Sequence, residues 1–311
     1  MNRGNDQPPP QIHRVRGLNF DSLKEVDRRQ IYQLARTCLK SKGVLDFQIR
    51  DSYINVYYAG GCIWKVEGLK QKGRGVKFSI DDKYFKRKSC SDLSGKFLPH
   101  RNADVNDWLS TQENLIKIMN DWFLDNPKKE RKLQQDLSVL HLLNESSDWI
   151  IIDNEYAAWL HGKKEIKGDL NSRRVCNFDL ISVKRKDLFS NSPLTIYLME
   201  LKQGQKSLGG LSGMKSHAED MAQLLQNPSE KKAREALTKS IRNIIKEKEL
   251  LTLLPKGAPS IFQRDIIIKP SFVLANASPA KTIIQEVEST LKEISSDSLW
   301  IDYSAINKNS T

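Results

Sequence analysis

The sequence predicts an α/β protein with a mixed central sheet, preceded by a small α+β accessory unit. Three observations carry this expectation. Apolar periodicity switches repeatedly between helix-like and strand-like spacing along the 311 residues. Three strand-like segments follow one another between residues 148 and 202. A further apolar strand, DIIIKPSFVLA, comes only after helical sequence, so it can join the sheet only through a crossover.

The elements follow in order. Residues 21–42 place Ile31, Leu34, Ala35 and Leu39 at amphipathic spacing, with Asp21 or Ser22 to cap the start and Gly43 to end it. VLDFQI, SYINVYY and CIWKVEGL read as strands, with a Gly60-Gly61 turn between the last two. GVKFSIDDKYF alternates like a fourth strand after the basic loop KQKGRG, and KSCSDLSGKFLPHRNAD reads as a linker. The second half opens with a helix capped by Asp104, its apolar face marked by Trp108, Leu115, Ile118, Met119 and Trp122. KKERKLQQDLSVLHLL is the next helix, with Leu133, Leu137, Leu140 and Leu143 as the buried stripe. Strands DWIIIDNEYAAWL, RRVCNFDLISVKR and LTIYLMELK come next, then the loop GQKSLGGLSG and the helix MKSHAEDMAQLLQ. A basic helix over 228–254, the apolar strand, a helix over 281–294 and a short strand, SLWIDYSA, complete the chain. The expected organisation is a disordered arm (1–17), a helix plus antiparallel sheet (18–100) and the larger α/β domain (101–311).

Composition narrows the function. With 39% hydrophobic and 28% charged residues the chain resembles an ordinary globular protein. No run of about 18 apolar residues exists to span a bilayer. The polar, proline-rich start lacks the apolar core of a signal peptide, so a cytoplasmic protein with no membrane partner is expected. Cys38, Cys62, Cys90 and Cys176 form no CxxC pair, which argues against a zinc knuckle and a disulfide framework. The formal charge of +12 favours a polyanionic partner, for which nucleic acid is the commonest. In the first hundred residues Arg14, Arg16, Lys70, Lys72, Arg74, Lys83, Lys86, Arg87 and Lys88 are mixed with Tyr53, Tyr57, Tyr58, Trp64 and Tyr84. That mixture suits phosphate contact with base stacking and suits an ordinary β-rich core equally well.

One constellation carries chemistry. If RRVCNFDLISVKR and LTIYLMELK form a hairpin about residues 189–190, paired residue numbers sum to about 379 and Asp179 falls opposite Glu200. Cross-strand Cβ atoms lie about 5 Å apart, close enough for two carboxylates to share a cation. Glu200 and Lys202 point to one face, and the Leu201 side chain points into the core while its backbone carbonyl can still face the site. Two carboxylates in apolar strands repel unless neutralised, and hard oxygen ligands suit Mg²⁺ or Mn²⁺. Glu-x-Lys alone is common in this chain, recurring at Glu130–Lys132, Glu165–Lys167 and Glu230–Lys232. Only Glu200–Lys202 ends an apolar strand with an acid on the strand beside it. A salt-bridged strand end is the competing reading. Asp148 and Asp153 flank the first strand and read as solvated strand ends, and Gly209-Gly210-Leu211-Ser212-Gly213 is not followed by the GK[ST] of a phosphate loop.

The order helix–strand–strand–strand–helix–strand, with Asp in the second strand and Glu-x-Lys in the third, resembles the restriction-endonuclease-like core of PD-(D/E)XK nucleases over roughly residues 128–276. Phe178 stands where that motif has proline. The resemblance implies a Mg²⁺-dependent deoxyribonuclease, acting in restriction or antiviral defence. Asp179 and Glu200 would bind the metal with the Leu201 carbonyl, and Lys202 would assist hydrolysis. A further Glu on the first helix would be Glu130, with Gln134 and Asp136 as competitors. On the helix after the third strand, Gln223 would lend a polar contact, and Lys206, Lys215 and His217 would meet nucleic acid. A homodimer or an activating protein partner is compatible with this reading. An idle nucleic-acid-binding module or an interaction scaffold is the alternative.

Overall fold

The computed structural model describes residues 14–68, 75–86, 98–161, 173–210, 213–255, 261–294 and 297–306. Residues 1–13 of the expected arm, the 69–74 loop with Lys70, Lys72 and Arg74, Arg87, Lys88 and Cys90 of the linker, and Glu165–Lys167 lie outside them.

The first half is helix α1 (Glu25–Lys40) against an antiparallel sheet of β1 (Leu45–Ile49), β2 (Ile54–Tyr58), β3 (Gly61–Glu67) and β4 (Lys77–Ser79), in that spatial order. Ile31, Leu34 and Ala35 of α1 are buried as their spacing requires. The helix starts later than expected. Asp21 and Ser22 lie in a 3-10 turn, and Lys24 holds the cap position without a side-chain bond. The fourth strand is also shorter than its alternation implied, because Asp81 accepts the Lys83 amide and folds Asp82–Phe85 into a 3-10 turn.

Helices α2 (Val105–Ser110) and α3 (Gln112–Asp125) replace the single helix expected there. They part at Thr111, whose hydroxyl donates to the Trp108 carbonyl at 2.6 Å. Helix α4 (Lys129–Leu143) buries Leu137 and Leu140 but leaves Leu143, its last residue, exposed.

The second sheet has the order β5 (Trp149–His161), β6 (Arg173–Lys184), β7 (Leu194–Gln203), β8 (Ile266–Ala275), β9 (Trp300–Asp302). β5–β6 and β6–β7 are antiparallel and β7–β8 and β8–β9 parallel, so the sheet is mixed and the protein is α/β. A single-turn helix, α5 (Arg185–Leu188), makes the β6–β7 connection. The crossover from β7 to β8 runs through α6 (Met214–Gln226) and α7 (Lys231–Leu250); α8 (Lys281–Leu291) leads to β9 and α9 (Tyr303–Ile306) ends the described chain. Along β7 every residue from Ile196 to Lys202 is buried, as expected of a strand covered on both faces. Leu137 and Leu140 of α4 and Ile306 of α9 cover one face with Leu180, Met199, Leu201 and Val273. Met221, Leu224, Leu237, Ile241 and Val287 cover the other, in a cluster that runs on without a break to Leu34, Trp64 and Phe78 of the first half.

Charge fixes the two halves together as well. Asp153, buried in β5, takes Arg50 at 2.8 Å and Arg16 at 2.5 Å, and Arg50 also donates to the Asn154 carbonyl, the Asn154 side chain and the Tyr57 hydroxyl. Asp153 is therefore no solvated strand end; it is the centre of a buried network. Lys248 of α7 joins it through Gln48 at 3.2 Å and the Ile152 carbonyl at 2.7 Å. Arg16, within the expected arm, is docked rather than free, and its amide donates to Ser240 of α7. Among the described residues no helix is long and apolar enough to cross a membrane.

Candidate active site

The β6–β7 ladder pairs Leu180 with Met199 and Ile181 with Leu198, the register expected from the sequence, and it ends there. Beyond Leu180, β6 leaves β7 while remaining paired with β5 up to Arg173. Asp179 sits at that fork. Its Oδ2 accepts the Leu201 amide at 2.8 Å, taking the place of the ladder bond that β6 no longer supplies. Its Oδ1 accepts the Gln134 side-chain amide at 2.7 Å, which ties α4 to the fork. Within a strand residue the N–H and C=O point to the same edge, so the Leu201 carbonyl opens into the same gap.

Glu200 is buried on the face turned toward α6. Its Oε2 lies 3.6 Å from Lys202 Nζ and 3.2 Å from His217 Nδ1. Its Oε1 is buried and meets no N–H donor among the described residues, and the neighbour within hydrogen-bonding reach of this carboxyl on the other strand is the Asp179 carboxyl. An orphaned carboxylate oxygen of this kind costs free energy unless a further positive group meets it. Burial pushes the Glu200 carboxyl up to about 7, with the Lys202 charge opposing the shift. Asp179 is driven well above the usual carboxylate range, by burial first and the Glu200 charge second, while the Leu201 amide opposes. Without a cation the pair retains a proton near neutrality.

Of the other residues singled out from the sequence, Glu130 is exposed on the first turn of α4, and its charge raises both carboxyls, so it lies within electrostatic reach. Gln134, one turn further on, is the α4 residue that touches Asp179; its i+4 spacing from Glu130 was the available signal. His217, expected to meet nucleic acid, faces Glu200. Gln223 lies six residues beyond it and donates to Glu230 at 3.1 Å. Glu230 is fully buried, because the 3-10 turn Pro228–Glu230 folds it inward. Lys206 is exposed on the turn after β7, and exposed Lys215 reaches Glu286 of α8 at 3.4 Å.

Asp179, Glu200 and the Leu201 carbonyl supply three hard oxygen donors at one gap, and the orphaned Glu200 Oε1 fits a divalent cation. Among the described residues no group of three or more His, Cys, Asp or Glu is arranged to hold a metal; at this gap only two of the three donors are carboxylates. A groove elsewhere, along α7, is lined by Lys231, Arg234, Lys239 and Arg242, with Glu235 its one acid. The fold and site define an α/β protein with a buried carboxylate pair and lysine at a fork between two interior strands. No family, curated protein or solved structure matches this chain.

Proposed function

We propose that this protein is a Mg²⁺- or Mn²⁺-dependent nuclease with a restriction-endonuclease-like core, hydrolysing phosphodiester bonds in DNA. The observation that carries this reading is the meeting of Asp179 and Glu200 beside Lys202, with one buried Glu200 oxygen unpartnered. A bound divalent cation would lower the pKa of a water and neutralise charge growing on the phosphate.

The chain's own residues divide the remaining work. Asp179 is held by Gln134 and the Leu201 amide, so its carboxylate is oriented before any ligand arrives. Lys202, nearly buried, brings a cation to the scissile phosphate where little water competes for it. Glu200 is itself buried, and surroundings of low polarity strengthen charge interactions made there. The basic groove along α7 and the +12 charge of the chain supply long-range attraction for a polyanion. Restriction or antiviral defence is the biological setting that analogy with similar nucleases offers. Cutting both strands would call for two active sites, hence a homodimer or successive nicks.

The test is incubation with plasmid, linear DNA and RNA in Mg²⁺, Mn²⁺ or EDTA. Cleavage that requires metal and is lost in Lys202→Ala supports the proposal. Cleavage surviving in Asp179→Ala, or a wild type inert on every substrate, overturns it. The Lys202–Glu200 contact also fits a second reading, because it pairs a cation with this carboxylate without metal. An idle nucleic-acid-binding module or scaffold would bind DNA, or a protein, and cut nothing.

A further inference from the structure

Along α7, Lys231, Arg234, Lys239 and Arg242 line one groove, with Thr238 among them. Their spacing in sequence is three, five and three residues, so a cation recurs about once per turn on one side of the helix. Glu235 is the one acid among the described lining residues, and Lys231 approaches it at 3.9 Å with both side chains exposed. The two arginines are held by backbone carbonyls instead. Arg234 donates to Leu224 and Asn227, in and just after the last turn of α6, at 2.8 and 2.7 Å. Arg242 donates to the Arg264 carbonyl at 2.9 Å. Carbonyls fix a guanidinium in place and leave its charge uncancelled. Lys239 is exposed and forms no ion pair among the described residues. The cationic stripe stops at Lys246, which Asp21 takes at 2.7 Å.

We propose that this groove binds the phosphate backbone of a DNA segment lying outside the carboxylate gap, by direct contact and without reading its sequence. The inference rests on the nuclease reading for its occupant and adds where the uncut part of the substrate is held. From Lys231 to Arg242 the helix rises about 17 Å. One DNA strand carries a phosphate every ~3.4 Å of axis, so about five phosphates pass over that length. A repeating anion can meet cations spread over three turns, whereas a small anion reaches one or two of them. A lipid surface fits less well, because the described lining has no large apolar or aromatic side chain to enter a bilayer. Arginines already oriented by carbonyls lose little freedom when a phosphate arrives. Helix α6 runs between the two places: His217 near its start faces Glu200, and Leu224 in its last turn accepts from Arg234.

The test uses the full chain in EDTA with a labelled DNA duplex, titrated at salt concentrations from about 50 to 300 mM. Lys231→Gln with Lys239→Gln leaves the arginine–carbonyl bonds in place, so the melting temperature should match wild type. Affinity should fall about tenfold or more at ~0.1 M salt, and the slope of log affinity against log salt should become shallower by about two. Lys40→Gln with Lys281→Gln, exposed lysines of α1 and α8, removes the same charge elsewhere and should change both much less. Equal losses in the two variants, or none in the groove variant, would overturn the proposal. Sedimentation with phosphatidylserine vesicles that needs Lys231 and Lys239, beside wild-type duplex affinity in their variant, would overturn it too and assign the groove to a membrane surface. In Mg²⁺ the groove variant should show a raised KM for DNA and a kcat near wild type. Cutting by wild type, with duplex affinity unchanged in the groove variant, would overturn the groove and leave the nuclease. Groove-dependent binding in a protein that cuts nothing would overturn the nuclease reading and leave the groove.

Discussion

Asp179 accepts the backbone amide of Leu201 at 2.8 Å, where β6 parts from β7. One side chain thus closes the end of a ladder and turns a carboxylate toward Glu200. The site and the fork in the sheet are one feature, and substitutions at either should be felt at both.

Lys202→Ala should lower metal-dependent cleavage by about a hundredfold or more, in keeping with the loss of a preorganised charge. Its effect on folding depends on pH. Removing the lysine leaves Glu200 buried beside one fewer cation, a change that can cost several kcal/mol while the acid is ionised. Below about pH 6 Glu200 can take up a proton instead. The melting temperature should match wild type there and fall below it at pH 8.

The carboxylate pair itself should make the metal-free protein less stable as pH rises. Glu200 is raised from its usual 4.5 to about 7, so the folded state holds more protons than the unfolded chain between those values. Stability therefore falls as pH climbs through that window. The upper bound for Glu200 alone is roughly 3 kcal/mol. Glu200→Gln should raise the melting temperature at pH 8 and leave it unchanged near pH 4. Millimolar Mg²⁺ should stabilise wild type at pH 8 and have little effect on that variant.

Gln134→Ala should reduce cleavage more than Glu130→Ala does. Gln134 holds Asp179 directly at 2.7 Å, whereas Glu130 acts through its charge from an exposed turn. The lost bond is about 1 kcal/mol in stability. If the rate falls less in Gln134→Ala than in Glu130→Ala, the orienting role is wrong.

Arg50→Met should destabilise the whole protein by roughly 3–5 kcal/mol in urea denaturation, because Asp153 is left buried with one arginine instead of two. Asp153→Asn together with Arg50→Met should recover part of the loss. A single unfolding transition is expected, since one apolar cluster runs through both sheets.

Much of the architecture was legible because local periodicity and tertiary burial agree. The strands β6 to β8 and helix α6 lie close to where alternation and 3.6-residue spacing put them. The hairpin register followed from symmetry and is kept by the observed pairs from Val183–Ile196 to Leu180–Met199, but the ladder ends one step short of Asp179 and Glu200. The caps of α1, the break at Thr111 and the burial of Glu230 were not legible, because each depends on a local bond or turn that competes with helix periodicity.

The sequence by itself determined the strand pattern, the carboxylates flanking apolar runs and the cationic balance, since these are properties of neighbours in the chain. Only the tertiary structure decided that Gln134 is the α4 residue holding Asp179, that His217 faces Glu200 and that Asp153 gathers Arg16 and Arg50. Those partners are separated from their targets by 17 to 137 residues, and pairing at such range is fixed by how helices and sheets pack, which no local pattern encodes.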